Sequence, residues 1–180
     1  GSIAVLVIEG ILVVIISLII FGSKNFSDNM IDLQNFDIPF NFKGILYILF
    51  ISFLVAGLVE ENNKYFWIKY IEKDLVINSH VPIILLGIAA ALGFSYFENI
   101  GYVTSYCQED SSTSDCLILT ISRIFISTPL HVLCAFIIAI NFSRYKILQE
   151  PLSKYQILIP SILFHGLFDF ALLLLAAAST

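Results

Sequence analysis

Five long stretches of this chain carry almost no charge, and they limit what it can fold into. They cover residues 3–22, 44–59, 81–103, 116–142 and 156–178. A helix needs about 20 mainly apolar residues to cross the hydrocarbon of a bilayer. The expectation is an all-α fold, a polytopic transmembrane helix bundle of about five spans. Composition agrees, with 58% hydrophobic and 13% charged residues, where a soluble domain is closer to half and a quarter. The spans take up most of residues 1–180, so a single membrane domain is expected, with no separate soluble one. The first run lacks a basic leader and a small-residue cleavage site, so it reads as a true span rather than a signal peptide. It is expected to be peripheral to a four-helix core over 44–178.

Orientation follows from the cations more than from the net charge of −5. Alternating the spans places loops 60–80 and 143–155 on one side, with Lys64, Lys69, Lys73, Arg144, Lys146 and Lys154. The opposite loops hold only Lys24 and Lys43, among Asp28, Asp32, Asp37, Glu109, Asp110 and Asp115. The basic side is expected to be cytoplasmic. The N-terminus is then inside and the C-terminus outside, in a multi-pass protein of the plasma membrane. The partners implied are the lipid bilayer and a membrane-anchored protein or peptide. No basic stripe suggests nucleic acid.

Cys107 and Cys116 flank an outward loop, where a disulfide is chemically permitted. Cys134 lies inside a span and reads as an inert packing residue. The 23–43 loop alternates aromatic and acidic residues and is expected to lie on the outer interface. Trp67 and Tyr70 suit the headgroup belt. Pro129 and Pro160 fall inside apolar runs, where a proline removes a helix hydrogen bond and kinks the helix.

The informative residues are the polar ones inside or at the edge of the spans: Glu9, Glu60, Glu61, Glu98, Arg123, His131, His165 and Asp169. Each charged group costs roughly 2.5–3.5 kcal/mol at mid-membrane. One such residue fits a packing network; several on four helices point to a functional site. Glu9 reads as a single polar residue in the first span. Residues four apart share a helix face, which pairs Glu60 with Lys64 and His165 with Asp169. Glu61 lies three residues from Lys64. Thr120, Arg123, Ser127, His131 and Cys134 form one stripe on the fourth span. The four polar faces are expected to converge on one wet pocket. Carboxylates and imidazoles together can activate water, protonate a leaving group and hold an oxyanion. They also ligate zinc, so a divalent metal is left open at Glu60, Glu98, His131 and His165. No H-E-x-x-H helix and no G-x-S-x-G elbow occurs.

Four motifs stand in order, each on or beside its own apolar run: EENNK at 60–64, FSYFEN at 94–99, RIFISTPLH at 123–131 and HGLFD at 165–169. Together they resemble the PrsW-type intramembrane proteases, within a wider superfamily of CAAX-prenyl endopeptidases and bacteriocin-processing proteins. The likeness covers residues 44–178 and leaves the first span outside. It implies a hydrolase of peptide bonds inside the membrane. Carried over, Glu60 activates water, and Glu61 orients the site through Lys64. His131 and His165 polarise the carbonyl and steady the oxyanion, with Asp169 orienting His165. Glu98, followed by Asn99, stands where the CAAX-processing relatives look to have a His. Its role is open between acid/base, metal ligand and partner for Arg123. The likeness leaves both a glutamate-type and a metal-dependent mechanism open. The competing readings are a non-enzymatic membrane protein, either a degenerate homologue or a transporter, and a metal-dependent hydrolase of a prenylated peptide.

Overall fold

The computed structural model describes residues 2–22, 38–107 and 112–179. The interfacial role expected for loop 23–43 falls mostly outside them, as does most of the acidic part of the loop between Cys107 and Cys116. The described residues form five long helices: α1 (Ser2–Phe21), α2 (Phe42–Glu72), α3 (His80–Tyr106), α4 (Thr113–Ile147) and α5 (Lys154–Ser179). All five are long and apolar enough to cross a membrane. Helices are the natural result, because hydrocarbon offers the backbone no partners and a helix satisfies its own N–H and C=O groups.

Local chemistry marks the ends. Gly22, at φ +84°, closes α1 in the left-handed region that glycine adopts without a Cβ penalty. The Asn41 side chain accepts from the Gly44 N–H at 3.1 Å and caps α2. A reciprocal capping box opens α5. There the Gln156 N–H donates to Ser153 Oγ at 3.3 Å, and Gln156 Oε1 accepts from the Ser153 N–H at 2.8 Å.

Two helices change their winding partway. α2 opens into a wider π-helical form over Ile51–Glu60, and α4 does so over Arg123–Ser127. The second has a visible cause. Pro129 has no N–H to offer one turn back, and just before it the Thr128 N–H reaches the Arg123 carbonyl, five residues away. Ile51–Glu60 contains no proline, and we have no comparable physical cause for its winding.

The chain divides into two compact units, each with its own interior. One comprises residues 61–161 with 1–3, the other residues 4–60 and 162–180. In the first, α3 lies close against α4. A Cβ on Gly87 would sit 2.9 Å from the Ala139 Cβ and 3.1 Å from the Ala135 carbonyl. Small residues that let backbones approach are the usual means of packing helices in lipid. Gly87→Val is therefore expected to lower stability by about 1–3 kcal/mol, read as an earlier thermal transition in detergent. A disulfide joins Cys107 to Cys116 and ties the end of α3 to the start of α4. In the second unit Ile16, Ile38, Tyr47, Ile48, Val55 and Ala177 form the core. Gly166 there faces the Phe53 ring, which a Cβ would meet at 2.6 Å.

Candidate active site

In the first unit the helices bring five ionisable side chains into one unbroken line. Glu61 is the first residue of α2's regular winding after the π-helical stretch, and Lys64 lies one turn further on. Lys64 Nζ donates to Glu61 Oε1 at 2.6 Å, with both side chains fully buried. The same ammonium lies 3.1 Å from His131 Nδ1 on α4. His131 Nε2 is 2.7 Å from Glu98 Oε2 on α3. Glu98 Oε1 in turn meets Arg123 Nη2 at 2.7 Å.

The line has a definite polarity. An ammonium only donates, so His131 Nδ1 accepts and the ring proton sits on Nε2. Nε2–H then lies on the Glu98 side of the ring. His131 is neutral in this arrangement, and two carboxylates balance two cations.

Hydroxyls and an amide hold both ends. Ser161 Oγ lies 2.7 Å from Glu61 Oε2, with the Cys134 carbonyl at 2.9 Å. Arg123 Nε donates to Asn99 Oδ1 at 2.9 Å, and Asn99 Nδ2 donates to Thr128 Oγ1 at 3.1 Å. Thr128 Oγ1 also lies 2.8 Å from Ser95 Oγ. Aromatic rings cover the cations: Arg123 stacks 4.1 Å over Tyr102, and Lys64 sits 5.5 Å from the Phe94 centroid. Phe94 meets the His131 ring edge-on at 5.4 Å. Desolvated charges in lipid need such pairing to be tolerated.

The second unit carries the other three predicted residues. Glu60, the last residue of the π-helical stretch, is 5% exposed. Its Oε2 lies 3.8 Å from His165 Nε2, and that nitrogen lies 3.4 Å from Asp169 Oδ2. His165 is buried, while the Asp169 side chain is about a quarter exposed.

A divalent metal can be tested against each group separately. Ligand atoms about 2.0–2.1 Å from a tetrahedral zinc stand a little over 3 Å apart. Glu60 Oε2 and His165 Nε2, 3.8 Å apart, are of the right chemical type, but among the described residues Asp169 does not complete a three-ligand set with them. In the first unit both ring nitrogens of His131 and both oxygens of Glu98 already have partners, and a cation there would stand against Lys64 or Arg123.

Sequence reasoning did not single out Ser95, Thr128 or Ser161. Ser161 had a usable signal, since it stands four residues before His165, itself four before Asp169. The Tyr102 ring packs on the Arg123 guanidinium. Lys64 pairs with Glu61, where the four-residue rule suggested Glu60.

A polytopic helical protein with charged groups buried along its spans is the class that fold and side chains define. The family model described as PrsW family intramembrane metalloprotease matches residues 2–180, and the chain belongs to that family. The match takes in the first helix, which the motif likeness leaves out. The protein is similar to Protease PrsW of Clostridioides difficile (strain 630), at 34% identity over 149 residues. That alignment covers 79% of this chain and 60% of the relative, so the chain spans well under the relative's full length. No solved structure matches it.

Proposed function

We propose that this chain is an intramembrane endopeptidase that hydrolyses peptide bonds of a membrane-anchored protein or peptide. The observation that carries the reading is Glu60. It is a buried carboxylate beside an imidazole, in a family described as proteases. An intramembrane acid is a functional-site hypothesis by default. In this reading Glu60 is the general base that takes the proton from water. His165, held by Asp169, polarises the carbonyl and steadies the oxyanion, while His131, fixed by Lys64 on one side, positions Glu98 on the other. Glu98 and Glu61 hold the two cations. When bound, a divalent metal held by Glu60 and His165 would supply Lewis acidity and a more acidic water. Kinship with the CAAX-prenyl endopeptidases belongs to the same proposal and rests on the four motifs.

The proposal extends to placement: plasma membrane, N-terminus cytoplasmic and C-terminus outside, supported by the Lys and Arg of loops 60–80 and 143–155. The direct test is reconstitution of the purified chain with a single-span reporter peptide and mass analysis of fragments. New termini within or beside the span are the expected result, and an intact reporter would remove the activity. A chelator arm separates the two catalytic types, because loss of cleavage restored by zinc identifies the metal-dependent one.

A further inference from the structure

At the end of the first unit where α2 and α4 finish and α5 begins, two lysines gather at one tyrosine ring with no carboxylate paired to them among the described residues. Tyr65 is 7% exposed. Its hydroxyl has no hydrogen-bond partner among the described residues and is open to the surface. Lys69 Nζ lies 5.9 Å from the centroid of the Tyr65 ring, and Lys154 Nζ lies 5.8 Å from the same centroid. Lys69 is one helical turn beyond Tyr65, and Lys154 is the first residue of α5. Neither lysine makes an ion pair among the described residues.

The nearby acids are committed elsewhere. Glu72 holds Lys146 at 2.6 Å, and Glu150 holds Arg144 at 2.7 Å. Asp74 is exposed and makes no ion pair among the described residues. Two like charges drawn to one ring repel each other, and the ring quadrupole offsets that only weakly at exposed sites. A single anionic oxygen cluster would satisfy both ammoniums and the phenol together.

The position selects the anion. Phe66, Trp67 and Tyr70 pack against one another next to Tyr65 in the chain, one pair stacked and two edge-on, with ring centroids 5.5–5.9 Å apart. They follow the apolar part of α2, as an interfacial aromatic belt does. We propose that Tyr65, Lys69 and Lys154 form a headgroup site for the phosphodiester of an anionic phospholipid. The site is independent of the proposed peptidase activity, because none of its residues belongs to the catalytic set.

The experiment uses the full chain in detergent, with phosphatidylglycerol, phosphatidylcholine or millimolar inorganic phosphate added. Retained lipid is counted by native mass spectrometry, and binding is followed through the fluorescence of Trp67. The expected result is retention of phosphatidylglycerol over phosphatidylcholine. Lys69→Gln and Lys154→Gln should each weaken it roughly fivefold. Tyr65→Phe should weaken it about tenfold at unchanged thermal stability, because a hydrogen bond to a charged group is lost. A diffuse basic surface would ignore the phenol, so Tyr65→Phe binding as tightly as the parent overturns the proposal. Equal retention of phosphatidylcholine overturns it as well. Displacement of the lipid by inorganic phosphate would reassign the site to a free anion and end the lipid assignment.

Discussion

Glu60→Ala is expected to abolish cleavage of a transmembrane reporter, with the rate falling by about 10²–10⁴-fold, the usual contribution of a positioned general base. The fold should survive. Glu60 has His165 Nε2 at 3.8 Å and is not a member of the Glu61–Lys64 pair, so its removal leaves that pair intact. The thermal transition of the variant should therefore stay close to the parent's. Glu60→Gln keeps the volume and should be as inactive, because an amide cannot take a proton from water. Unaltered cleavage by either variant would take Glu60 out of the mechanism, and cleavage lost together with the fold would be uninformative only for alanine.

Lys64→Met should cost far more stability than an exposed lysine would. The ammonium is fully buried, 2.6 Å from Glu61 and 3.1 Å from His131. Without it Glu61 becomes a buried charge held by Ser161, and breaking such a pair costs about 3–5 kcal/mol. His131 also loses the donor that fixes its tautomer. The discriminating variant is Glu61→Gln combined with Lys64→Met. With no charge left to strand, the pair should lose less than the two single variants added together, by about 0.5–3 kcal/mol. Denaturant or thermal unfolding in detergent reads this out. Strictly additive losses would mean that the pair is not coupled.

These expectations rest on features that differed in how readily the sequence disclosed them. The five helices were legible because the bilayer allows few alternatives and each run is long enough to be read alone. His165 and Asp169 were legible as a pair because α5 keeps regular spacing between them. The partner of Lys64 was legible only as a choice between Glu60, four residues away, and Glu61, three away. The four-residue rule assumes an unbroken α-helix, and α2 is π-wound up to Glu60 before regular winding resumes at Glu61. Nothing in ISFLVAGLVE announces that winding. Arg123 as the neutraliser of a carboxylate was readable from the cost of a bare charge in lipid. That the carboxylate is Glu98 stood as one of three open roles, and that His131 shares it became visible only where α3 lies on α4. Ser95 and Thr128 stayed hidden for another reason. Hydroxyls in apolar helices commonly bond their own backbone, as Ser17 does with Val13, Thr104 with Ile100 and Thr120 with Cys116. A serine that reaches across to another helix looks the same in sequence.

The way the charges pair also bears on how the protein enters the membrane. α2 carries Glu61 together with its own counter-ion one turn later, so that helix can leave the insertion machinery electrically balanced. α3 holds Glu98 and no lysine or arginine, while the cation that answers it, Arg123, belongs to the next helix. Each would meet hydrocarbon bare if released singly. The cheaper route holds α3 back until α4 has been synthesised, so that the two enter the lipid as a hairpin.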